Sequence, residues 1–77
     1  MIGPNPFDEI LIVELSEGQN FPVDLIATNP ATDQVFRDRI FTSKKIVDTS
    51  NFPPGLYQYV LKHDDKILEE GYLKKVA

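Results

Sequence analysis

Four glycines and six prolines are spread along the chain from Gly3 to Gly71. Proline removes a backbone donor and collides with the preceding helical turn, and glycine costs a helix backbone entropy, so little or no α-helix is expected. The residues between these breaks are strand formers. Ile, Val, Thr, Phe and Tyr number 25 against 11 for Ala, Leu and Met, and stiff β-branched or aromatic side chains suit a pleated, half-buried surface.

Alternation bounded by turn residues locates six strands. Ile10 to Leu15 places Leu11, Val13 and Leu15 on one face, and Phe21 to Thr28 does the same with Val23, Leu25 and Ala27. Pro22 cannot donate to a ladder and belongs at a strand start or on an edge. After the turn at Asn29-Pro30-Ala31-Thr32-Asp33, Gln34 to Phe41 alternates poorly and reads as a partly exposed strand. Lys44 to Thr49 follows, with Val47 and Thr49 inward, and Asn51-Phe52-Pro53-Pro54-Gly55 is the strongest turn signal. Leu56 to His63 sets Tyr57, Tyr59 and Leu61 on one face. Asp64-Asp65 makes a hairpin tip, and Ile67 to Val76 closes the chain with Gly71 expected to mark a bulge. Turn signals every 8 to 12 residues, about the spacing of an antiparallel sandwich, predict an all-β fold of two packed sheets. Residues 1–7 read as linker and domain start, and 8–77 as a single sandwich.

At 77 residues the chain suits one small soluble domain. A domain of this size buries only about 60% of the surface its unfolded chain exposes, which leaves little material for a deep catalytic cleft. The absence of cysteine removes thiol catalysis, thiolate metal sites and disulfides together. No apolar run approaches the roughly 20 residues of a spanning helix, and the first residues lack the basic and apolar regions of a signal peptide. The net charge of -4 hides an asymmetry: residues 1–33 hold Asp8, Glu9, Glu14, Glu17, Asp24 and Asp33 with no base, and every Lys and Arg lies between residues 37 and 75. An acidic chain with so few arginines is not expected to bind nucleic acid, where clustered bases on phosphates supply the affinity.

Residue clusters with catalytic potential have plainer readings. His63-Asp64-Asp65 could ligate a metal, but it is a single histidine at a hairpin tip beside Lys66, and a solvated turn is the better reading. Glu69 and Glu70 are adjacent on a strand and point to opposite faces, so they read as exposed charges rather than a catalytic pair. The serines lack a nucleophile-elbow pattern, and the scattered glycines form no phosphate cradle, so no enzyme activity and no cofactor are expected. Tyr57 and Tyr59 could form a stacking platform for a sugar, with a core pair the favoured reading. Lys74 and Lys75 alternate faces near the chain's end, where lysines protect an edge strand.

From Gly3 to Val76 the order of motifs resembles the C-terminal sorting domain of the type IX secretion system. Pro4-Asn5-Pro6-Phe7 is similar to the family's opening Pro-Asn-Pro, followed by the apolar strand from Ile10. Val47-Asp48-Thr49-Ser50-Asn51-Phe52 resembles its approach to the next turn, Pro54-Gly55-Leu56-Tyr57 its Gly-x-Tyr hairpin start, and Leu73-Lys74-Lys75-Val76 its lysine-bearing last strand. The turn at residues 29–34 departs from the family in lacking a glycine. The resemblance implies a small antiparallel Ig-like β-sandwich of six to seven strands, carried by a larger cargo protein as a folded, non-catalytic address. It further implies recognition by the outer-membrane translocation machinery, removal by a sortase-like protease, and a route through the periplasm to the surface or exterior of a Gram-negative bacterium. Pro4, Asn5, Pro6 and Phe7 would open the domain, Gly55 and Tyr57 would be structural, and Lys74, Lys75, Val76 and Ala77 would form the recognition strand.

Two other readings stay open: an Ig-like spacer or interaction module of a bacterial surface protein, and a carbohydrate-binding module using Tyr57, Tyr59 or Tyr72. For the terminal strand, three states are compatible with the sequence. It can pair in its own sheet, exchange with a second copy in a homodimer, or stand free for a receptor.

Overall fold

Alternation in Val23-Asp24-Leu25-Ile26-Ala27 does what a two-residue period demands: Val23, Leu25 and Ala27 are buried, and the residues between them face out. The computed structural model, which describes residues 1–76, builds seven strands this way and no helix among the described residues. They are β1 (Ile2–Gly3), β2 (Ile10–Glu14), β3 (Val23–Asn29), β4 (Gln34–Ile40), β5 (Lys44–Asp48), β6 (Gly55–His63) and β7 (Lys66–Lys75). A three-stranded sheet in the order β1-β2-β5 faces a four-stranded sheet in the order β4-β3-β6-β7, and every strand pair is antiparallel. This is an all-β sandwich, with each predicted strand present to within two residues at its ends.

The inward faces make one core. Leu11 and Val13 of β2, Val23, Leu25 and Ala27 of β3, Ile40, Val47, and Tyr57, Tyr59, Leu61 and Leu73 of the β6–β7 hairpin are all buried, and Phe7 joins them. An aromatic cluster closes one end: Phe36 and Phe52 stack at 3.8 Å between centroids, and Phe7 meets Phe52 edge-on at 6.0 Å.

The turns follow from side chains that bond their own backbone. After β3 the Asn29 carbonyl accepts the Asp33 amide at 2.8 Å, and the Asn29 Oδ1 accepts the Ala31 amide at 2.9 Å. Asp33 takes the left-handed backbone (φ 59°), which aspartate tolerates better than most residues, so the turn closes without a glycine. Asp64, at φ 51°, does the same in the two-residue tip between β6 and β7.

Residues 1–7 pack onto the sandwich: Ile2–Gly3 pairs with β2, and Phe7 is 1% exposed in the core. Two expectations change. The bulge lies at Leu68 and not at Gly71, because the register slips where Leu61 pairs Glu69 but Lys62 pairs Ile67. Gly71 instead sits opposite Tyr59, where a Cβ would come 3.2 Å from the ring's Cε1. As a result Glu69 turns toward the core side and is not a plain surface charge. It accepts the Tyr59 hydroxyl at 2.7 Å.

Candidate functional site

The chain's two ends meet at one edge of the four-stranded sheet. After β1, residues 4–6 leave the three-stranded sheet and cross to the outer side of β7, where Phe7 bridges Lys75 in parallel. The Phe7 amide donates to the Lys74 carbonyl at 2.8 Å, and the Val76 amide donates to the Phe7 carbonyl at 2.9 Å. Asn5 completes the pairing with its side chain. Its Oδ1 accepts the Lys74 amide at 3.0 Å, and its Nδ2 donates to the Tyr72 carbonyl at 3.2 Å. Prolines at positions 4 and 6 suit this path because neither supplies an amide, so the pairing runs through Asn5 and Phe7.

The two adjacent lysines have opposite environments. Lys74 is exposed and makes no ion pair among the described residues. Lys75 is only 6% exposed: its Nζ lies 3.2 Å from Asp8 Oδ1 and 3.1 Å from the Val76 carbonyl. A buried ammonium needs such partners, and Asp8 supplies the charge from the segment just after Phe7. Val76 is half-buried, and Ala77 lies outside the described residues.

Gly55 and Tyr57 stand beside this edge. Gly55 pairs with Lys75 and has φ 144°, a backbone that an L side chain rarely adopts. Tyr57 is fully buried, packs on Phe7 at 6.1 Å between centroids, and donates its hydroxyl to the Pro53 carbonyl at 2.6 Å. A tyrosine at the start of a strand bonding back to the preceding corner is a recurring tie in β-sandwiches. The Val47–Phe52 segment is tied in as well. Asp48 Oδ1 accepts the Ser50 amide at 2.9 Å, which holds the Asp48 carboxyl below its ordinary range. The buried Thr49 donates its hydroxyl to the Asp8 carbonyl at 3.0 Å.

Four motifs far apart in sequence thus converge: residues 4–7 cover the terminal strand, Gly55 and Tyr57 support it, and Val47–Phe52 closes the aromatic end behind it. A model of the secretion system C-terminal sorting domain matches residues 1–75. The chain belongs to that family. No curated protein and no solved structure matches it. The sorting domain is of the type IX system, whose signals direct export to the cell surface or extracellular space of Gram-negative bacteria.

Elsewhere on the sorting domain, His63 Nδ1 lies 2.9 Å from the Pro22 carbonyl and its Nε2 lies 3.5 Å from the exposed Asp64. Tyr57 and Tyr59 are core residues, so no aromatic platform forms from them, and Tyr72 alone of the three tyrosines is well exposed. Burial raises the Tyr59 hydroxyl to about 12, helped by the hydrogen bond to Glu69 and its negative charge. For Glu69, burial works toward a higher value, but the Tyr59 hydrogen bond and the Met1 ammonium outweigh it and the carboxyl lies below its ordinary range.

Sequence reading did not anticipate Asp8 as the partner of Lys75, or Asn5 as a substitute strand. Their partners are 67 to 69 residues away, and no local pattern announces them.

Proposed function

We propose that the outer-membrane translocation machinery of the type IX system reads the end of this domain, Lys74 to Ala77, that the cargo passes through the periplasm on its way, and that a sortase-like protease then removes the domain, which performs no chemistry itself. One observation carries this reading. The edge of β7 from Tyr72 to Val76 is bonded to an irregular segment, residues 5–7, and not to another full strand. Such a segment is easier to displace than a strand held along its length, so a receptor strand can compete for the same backbone groups. Before displacement, the exposed Lys74 side chain is the part of the lysine pair open to recognition, and the buried Lys75 holds the strand in place.

The test is a reporter with a signal peptide fused to residues 3–77 in a host carrying the type IX machinery, beside a matched fusion lacking Lys74 to Ala77. Surface or extracellular reporter is expected only from the first. If both stay in the periplasm with the domain folded, the sorting reading fails; if both are exported, the terminal segment is not the signal.

A further inference from the structure

The sandwich is unequal, with three strands facing four, and the missing position lies beside β5 and opposite β4. β3 alternates cleanly between buried and half-buried residues, but on β4 the inward Phe36 and Asp38 remain half-buried because no strand covers them. A groove of about 390 Å³ opens there, with Leu25, Ala27, Phe36, Val47 and Phe52 supplying its apolar lining.

The border of that groove is an unpaired strand edge. The Thr49 amide bonds Glu9 and the Leu15 amide bonds Ser43, so the odd-numbered residues of β5 pair with β2, and those of even number point their backbone away from it. The Lys44 carbonyl takes the Thr42 hydroxyl at 2.8 Å. The N–H and C=O of Ile46 have no partner among the described residues, and the Ile46 side chain is 61% exposed. The other long edges are guarded in part: residues 5–7 bond β7 from Tyr72 to Val76, and on β4 the Arg39 amide is held by Asp38 Oδ1 at 2.9 Å while Lys45 Nζ lies 3.4 Å from the Arg39 carbonyl.

We infer that the free edge of β5 accepts an extended segment of a partner protein of the export apparatus, which joins the three-stranded sheet as its fourth strand. This rests on the sorting reading above. The existing neighbour indicates what the edge selects: on β2, Glu14 stands opposite Lys44 and Ile12 opposite Ile46. The incoming segment therefore carries an acidic residue opposite Lys44 and an apolar one opposite Ile46, and its alternate side chains enter the groove over Phe36 and Val47.

Ile46→Pro isolates the claim, because it removes the central outward-facing donor of β5 and leaves the β2 bonds through Lys45 and Val47 in place; proline is tolerated on such edges. Ile46→Ala keeps the donor, and Arg37→Pro makes the same change on the edge of β4. Each is made in the reporter fusion in a type IX host, with thermal unfolding of the purified domain to verify its fold. Export is expected to fall about tenfold or more for Ile46→Pro alone, the loss of a hydrogen-bonded strand register. Wild-type export from Ile46→Pro, or loss from Arg37→Pro instead, overturns the inference. A wild-type fusion that is itself retained sinks the sorting reading first and this inference with it. Should Ile46→Pro fail to fold, Lys44→Glu supplies the readout: it opposes the incoming acid and lowers export, whereas equal export from Lys44→Glu and Lys66→Glu overturns the inference.

Discussion

Asn5 holds Lys74 as a neighbouring strand would, with one side-chain amide accepting the Lys74 N–H at 3.0 Å and donating to the Tyr72 carbonyl two residues earlier at 3.2 Å. The spacing works because Tyr72 and Lys74 both turn their backbone to the free side of β7, as alternate residues of a strand must. A single asparagine between two prolines thereby blocks the edge that would otherwise invite another chain.

Replacing Asn5 with Ala removes both bonds from a partly solvated site and is expected to cost about 1 to 2 kcal/mol. The sharper readout is amide hydrogen exchange. Lys74 N–H exchanges faster in the variant, while Leu73 N–H, which faces β6, keeps its protection. Equal acceleration at both positions would mean that Asn5 supports the whole hairpin and not its edge.

Phe7 ties the same segment to the core, and it is expected to matter more. Phe7→Ala opens a cavity among Phe52, Tyr57 and the β7 backbone and is expected to lose about 3 to 5 kcal/mol. Urea unfolding would measure this. A loss no larger than that of Asn5→Ala would show that the core closes without the segment.

Two glycines fail by different physics. At Gly55 a Cβ meets nothing closer than the Asn29 Nδ2 at 3.5 Å, so the cost of Gly55→Ala, about 1 to 3 kcal/mol, comes from backbone at φ 144°. At Gly71 the backbone is ordinary and the Cβ strikes the Tyr59 ring, with a crowding cost of about 1 to 3 kcal/mol. A Tyr59→Val background should therefore rescue Gly71→Ala and leave Gly55→Ala as harmful as before, measured as a double-mutant cycle in denaturant.

Alkaline stability reports on Tyr59. Its hydroxyl keeps its proton to about 12 in the folded protein, against 10.0 for a free tyrosine. Below pH 10 both states are protonated and the group has no effect on the pH dependence. Above it the unfolded chain releases the proton first, so stability falls as pH rises toward 12. Melting temperature followed across this window should drop more steeply in the wild type than in Tyr59→Phe, and parallel curves would contradict the assignment.

The strand pattern was legible because it is local. Val23, Leu25 and Ala27, or Tyr57, Tyr59 and Leu61, identify an inward face within a few residues, and the structure places them there. Ile2–Gly3 was not legible, since two residues carry no periodicity. In the sequence Gly71 is the natural place for the bulge, because glycine commonly marks one. It falls at Leu68 because the hairpin tip at Asp64-Asp65 and the Tyr59–Gly71 pairing fix the register on both sides and leave one residue over.

From its sequence alone this chain was bound to be a small β-sandwich: alternation, turn chemistry and the spacing of Pro-Asn-Pro, Gly-x-Tyr and the final lysines act over short range and need no partner. Only the tertiary structure decided which lysine is free. Lys74 and Lys75 are chemically identical neighbours, and the pleat sends one to solvent and the other beneath Asp8, 67 residues away. The same long-range closure set Asn5 on the terminal edge and left the outer side of β5 without a neighbour. Such pairings depend on how sheets meet in space, a relation that no local pattern of side chains encodes.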